Sequence, residues 1–207
     1  MLIDFSKYKP GQRIELRNLS NENNRDFDNT NKIMAFEVVA PPSEKEMKLD
    51  PKWNYIPTTL VDSHVMRLTK NDAVKKRQFR VQRGDEDGPW NISSMTWEDV
   101  IASNFKLAGA DPKLGAVEIW ELENKSGGWF HPIHIHLIDF QILSRNGKPP
   151  AAWERGPKDV MYVGENEKIQ VIMQFGPHKG RYMVHCHNLV HEDHSMMFQF
   201  RVGLGVN

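Results

Sequence analysis

Apolar and polar residues alternate in short runs along this chain, and the runs read as β-strands. Gln78-Phe79-Arg80-Val81-Gln82 and residues 115–122, 168–175 and 197–202 follow the two-residue period that sends successive side chains to opposite faces of a sheet. Turn signals separate them: Asp87-Gly88-Pro89, Ser126-Gly127-Gly128, Asn146-Gly147 and Gly176-Pro177. One stretch, residues 95–102, has the make-up of a short helix. Short strands between regular turns predict an all-β sandwich or barrel of about 130 residues.

Two more strand-like runs lie upstream, Ile14-Glu15-Leu16-Arg17-Asn18-Leu19 and Ile33-Met34-Ala35-Phe36-Glu37-Val38-Val39, around an Asn- and Asp-rich loop at residues 20–31. So few strands leave an apolar face uncovered and need another layer. Residues 1–43 are therefore expected to be the closing strands of an incomplete domain, poorly stable when isolated. Residues 44–73, with their prolines and charges, read as a linker. Residues 74–207 form the second domain. The chain has no internal repeat and no low-complexity tract.

Composition narrows the classes of function. Among 207 residues, 27 are Lys or Arg and 27 are Asp or Glu, so the formal charge is +0. That balance argues against nucleic-acid binding and against a polybasic membrane anchor, both of which need a positive excess. With 39% hydrophobic and 26% charged residues the chain is core-forming, not disordered. No run approaches the about 18 apolar residues of a membrane helix. The first residues lack the basic head and apolar stretch of a signal peptide, and the compartment stays open. The only cysteine, Cys186, excludes an intramolecular disulfide.

Histidine carries the chemistry. Seven of the nine histidines fall in two clusters, His131-Pro132-Ile133-His134-Ile135-His136 and His185-Cys186-His187-Asn188-Leu189-Val190-His191 followed by His194. His64, His178 and His194 read as structural or solvated residues. On a strand, His185 and His187 share one face and Cys186 takes the other; His134 and His136 share a face that His131 does not. The ligands sort into Cys186 with His131, His191 and the sulfur of Met196, and a second group of His134, His136, His185 and His187. Two imidazoles, a thiolate and a weak thioether suit a blue-copper centre. Zinc fits two His and one Cys but rarely recruits Met, and iron would favour a carboxylate. Cys186 is bonded through the backbone to His185 and His187, a short electron route that copper explains and zinc does not.

These residues resemble the C-terminal half of a multicopper oxidase, in the group of spore-coat laccase, bilirubin oxidase and phenoxazinone synthase. The first cluster matches the family's HPxHxH and the second its HCHxxxHxxxxM, in order and about fifty residues apart. Glu118-Ile119-Trp120, Phe175-Gly176-Pro177, Gly180-Arg181-Tyr182, Ile3-Asp4-Phe5-Ser6 and Ile14-Glu15-Leu16-Arg17-Asn18 extend the likeness over nearly the whole chain. The resemblance implies a cupredoxin-like Greek-key β-sandwich, preceded by the closing strands of a second cupredoxin domain. It implies that His131, Cys186, His191 and Met196 bind type 1 copper, His134 type 2, and His136, His185 and His187 the type 3 pair. Glu192 resembles an acid assisting proton delivery to oxygen, beside a plainer reading as a solvated carboxylate. An axial Met implies a lower potential than Leu or Phe would give.

The implied activity is one-electron oxidation of phenols or aminophenols, or of a lower-valent metal ion, coupled to reduction of dioxygen to water. Half of the family's trinuclear-cluster histidines come from two HxH motifs in an N-terminal domain, and beyond His134-Ile135-His136 and His185-Cys186-His187 no further HxH occurs here, since His64 and His178 stand alone. The partner implied is an N-terminal portion or subunit that carries them. A blue-copper carrier is the alternative. A copper nitrite reductase fits less well, because the His-Cys-His tripeptide serves a coupled copper pair.

Overall fold

The computed structural model describes residues 3–17, 32–45, 64–84 and 88–205. The loop expected at 20–31 lies outside them, as do Asp87 and residues 46–63 of the expected linker. The chain forms two compact units, Met1–Thr58 and Thr59–Asn207.

In the first unit, β1 (Arg13–Arg17) and β2 (Lys32–Glu37) pair antiparallel, with Ile14 opposite Phe36 and Leu16 opposite Met34. Phe5 packs its ring 5.2 Å from that of Phe36, while Ile33, Met34 and Val39 are exposed.

The second unit is a sandwich of two sheets. One has the order β4 (Trp90–Ile92), β3 (Lys75–Arg83), β5 (Val117–Asn124), β9 (Lys168–Gln174), β7 (Gln141–Arg145). The other runs β11 (Met197–Val202), β10 (Gly180–Cys186), β6 (His131–Ile135), β8 (Val160–Val163). Every pairing among these described strands is antiparallel except that of β3 with β5, which run parallel. Alternation drives the sheets together. Trp120 and Leu122 of β5 and Phe79 and Val81 of β3 face Phe198 and Phe200 of β11, all buried. Phe79 stacks on Phe198 at 5.2 Å, and Trp120 lies 5.6 Å from Phe200. Burying rings of this size is the main apolar gain of the fold.

The opposite face of β5 is treated differently along its length. Val117 and Ile119 are covered by Val65 of the 3-10 turn His64–Arg67 and by Leu68 just after it, together with Ile172. Farther on, buried Glu121 is paired with Lys76 at 2.8 Å and bonded by Gln170 at 2.6 Å. The helix expected near residue 97 is α1 (Trp97–Ala102), started by a capping box in which Thr96 and Asp99 bond each other's backbone N–H. Asn146 and Gly147 both have positive φ, and Arg145 and Lys148 exchange backbone hydrogen bonds across them, as a tight two-residue turn requires. Three strands escape the alternation rule. β4 has three residues, β8 is an unbroken apolar run, and the register of β7 shifts between Ile142 and Ser144. The architecture is an all-β, cupredoxin-like sandwich.

Candidate metal centre

Strand register assembles the histidines. β10 pairs with β6 so that His185 stands opposite His134 and Cys186 opposite Ile133. His134 and His185 therefore share a face, and Cys186 points through the sheet to the core. β10 stops at Cys186, and Asn188 caps α2 (Leu189–Asp193) by accepting from the Val190 N–H at 3.2 Å. That short helix turns His191 back over the sulfur. Two backbone bonds close the loop: Met196 N–H to the His191 carbonyl at 3.0 Å, and Cys186 N–H to the Met196 carbonyl at 3.1 Å.

The first group is buried. His131 Nδ1 and His191 Nδ1 are 3.1 Å apart, and Cys186 Sγ is 3.6 Å from each. All three side chains, and Met196 beside them in the core, have 0% exposure. The Asn188 N–H donates to the sulfur at 3.4 Å. Burial pushes the Cys186 thiol up to about 12, His131 down to about 3 and His191 down to about 4, so both imidazoles are neutral at pH 7. A small divalent ion with nitrogens at about 2.0–2.1 Å and sulfur at about 2.3 Å spaces tetrahedral donors about 3.4 Å (N···N) and about 3.6 Å (N···S) apart. The observed triangle fits that spacing. Neutral imidazoles and a soft sulfur, with no carboxylate among them, suit copper.

The second group lies on the opposite face. His134, His136 and His185 bring their ring nitrogens within 4.8 Å of one another, and His136 Nε2 is 3.1 Å from His185 Nε2. His134 donates from Nδ1 to the Asp159 carbonyl at 2.7 Å, which leaves Nε2 to bind. His185 Nδ1 lies 3.3 Å from both the Cys186 carbonyl and Glu192 Oε1. Burial, then the neighbouring imidazoles, hold His136 below the usual range, and burial lowers His185 as well. His187 is exposed, with its ring 5.0 Å from His185 and 5.6 Å from His134. His64, His178 and His194 join neither group.

Four residues outside the two histidine clusters complete the surroundings. Trp90 lies 4.2 Å from the His191 ring and 5.2 Å from His131, and Trp129 lies 5.2 Å from His191. His191 Nε2 is buried with no hydrogen-bond partner, under these indoles. Asn124 and Ser126 reach the other side of His131. The Ser-Gly-Gly turn is visible in the sequence; its contact with His131 is not. Buried paired imidazoles and a thiol on a β-sandwich define a cupredoxin-type metal protein.

Comparison with known proteins gives the family. The profile described as multicopper oxidase matches residues 73–205. Bilirubin oxidase of Albifimbria verrucaria is 41% identical over 210 residues, 97% of this chain and 34% of its own length. The laccase of Bacillus subtilis is 28% identical over 219 residues, 95% of this chain and 39% of its own length. The crystal structure of the McoA multicopper oxidase from the hyperthermophile Aquifex aeolicus matches with a TM-score of 0.73 and 28% identity, covering 97% of this chain and 42% of that one. This chain belongs to the multicopper oxidase family, a family of copper proteins. It spans between a third and two-fifths of the length of the curated relatives just compared. Among the described residues no helix is long and apolar enough to cross a membrane.

Proposed function

We propose that this chain is the C-terminal portion of a laccase-like, copper-dependent oxidase that takes electrons singly from phenolic or aminophenolic reductants and passes them to dioxygen. The observation that carries this reading is the placement of two ligand groups on opposite faces of one sheet, joined through the backbone of Cys186. His131, Cys186, His191 and Met196 would hold type 1 copper. His134 would hold type 2, and His136, His185 and His187 the type 3 pair. Bound copper supplies the one-electron chemistry that turns dioxygen to water. The protein's share is to bind, orient and insulate. Trp90 and Trp129 exclude water from His191, and a surface cavity of about 520 Å³ on Trp90, lined also by Arg83, Glu98 and Asp193, suits a small aromatic reductant. Glu192, half-buried beside His185 Nδ1, is set to hold a proton near the second group.

Residues 1–43 would be the closing strands of a middle cupredoxin domain, residues 44–73 a linker and residues 74–207 the C-terminal domain. The missing histidines would come from an N-terminal portion or subunit with two HxH motifs. The test is copper content, visible spectrum and oxygen uptake on a phenol, for the chain alone and for the chain joined to such a portion. One copper, a blue thiolate band and no oxygen uptake are expected of the chain alone, with four coppers and turnover after completion. A chain that still holds one copper and shows no turnover after that joining would instead be a blue-copper electron-transfer module. Copper loading without a thiolate band would overturn the type 1 assignment.

A further inference from the structure

Asn124 and Ser126 sit where β5 ends, on the side of His131 away from Cys186. Asn124 is fully buried, and its Nδ2 donates to the carbonyls of Trp129 at 2.7 Å and Gly164 at 2.9 Å, with Val163 at 3.4 Å. A carbonyl can only accept, so these contacts fix which end of the amide is nitrogen. Oδ1 must then face Ser126, where it accepts from the backbone N–H at 3.0 Å and from the hydroxyl at 2.5 Å. The Ser126 hydroxyl has a single proton, and it goes to an oxygen that can only accept, Asn124 Oδ1 or, at 3.4 Å, the Trp129 carbonyl. Toward His131 Nε2, 2.9 Å away, Ser126 can therefore offer only a lone pair. His131 must carry its proton on Nε2, and Nδ1, facing Cys186 and His191, is left bare.

We propose that Asn124 and Ser126 are positioning residues that lock His131 in its metal-binding tautomer and tune the copper held there. The inference deepens the copper reading above and rests on it for its second half. The polarity of three hydrogen bonds runs in one direction, from backbone carbonyls to a ligand nitrogen. The same chain pushes electron density into the ring, because an imidazole donating through its outer N–H is a stronger base at its inner nitrogen. A stronger base favours Cu(II) over Cu(I). His191 has no such partner at its outer nitrogen, so the two histidines are unequal: one is anchored by the protein and the other rests against indoles.

The tautomer is read first in the metal-free full chain, from the nitrogen-15 shifts of the His131 ring, and so apart from any copper chemistry. A proton on Nε2 is expected in the natural protein. Ser126→Ala should show mixed tautomers, and Ser126→Thr, which keeps the hydroxyl, should restore the single form. With copper bound, Ser126→Ala should raise the reduction potential and weaken Cu(II) binding about 10- to 100-fold, both recovering in Ser126→Thr. A natural protein with its His131 proton on Nδ1 overturns the proposal, and that result does not require Ser126→Ala to fold. So does a folded Ser126→Ala with unchanged tautomer, affinity and potential. Failure of the natural chain to bind copper at all, with the Nε2 tautomer present, would sink the copper reading and leave the locking intact.

Discussion

At Cys186 the alternation of a β-strand separates two environments across a single residue: the sulfur enters the core beside His131 and His191, while the ring of His185 lies on the far face. Replacing only the sulfur tests that division. In Cys186→Ser the hard hydroxyl should abolish the blue band and weaken copper binding at the buried group. In the chain joined to the portion that supplies the missing histidines, histidine-only binding on the other face should survive. A copper titration followed in the visible range distinguishes them, and a retained blue band would remove Cys186 from the ligand set. Both clusters are legible in the sequence because spacing parity on a strand determines face. Ser126 and Asn124 are not legible, since their roles depend on carbonyls from residues 163 and 164, far along the chain, and on a register no pattern reports.

Among the elements, the outer edge of β11 shows how a quiet segment can matter. Residues 109–112 run beside it: Gly109 N–H donates to the Gln199 carbonyl at 2.8 Å, Arg201 N–H to Ala110 at 3.0 Å and Gly203 N–H to Pro112 at 3.0 Å. The edge is thereby covered instead of being left open for pairing with another chain. The close approach needs glycine, since a Cβ at residue 109 would stand 2.7 Å from both Met95 Cε and the Phe198 ring. Gly109→Ala should cost about 1–3 kcal/mol, as overpacking does, seen as an earlier denaturant midpoint with an unchanged slope. A neutral result would mean that Met95 and Phe198 move freely. In the sequence this stretch, Gly109-Ala110-Asp111-Pro112, has no strand pattern. The long strands announce themselves by alternation, whereas β4 and β7 are too short or too irregular to do so.

For the molecule as a whole, the buried imidazoles link folding to pH. His131 and His191 fall from an ordinary 6.5 to about 3 and about 4 when folded, so the unfolded chain binds more protons between those limits. Stability of the metal-free chain should be complete above pH 6.5 and decline as pH falls toward 4. Melting curves of the metal-free chain across that range provide the check, and His131→Gln with His191→Gln should flatten the slope. A flat profile in the natural chain would mean the rings are hydrated. The full burial of His131, Cys186 and His191 has a further consequence, one of time rather than affinity. With 0% exposure at every donor, no ion can reach the trio unless the backbone between Cys186 and Met196 or the turn before His131 first opens. Copper held there would come and go at the tempo of local unfolding, however tightly it binds.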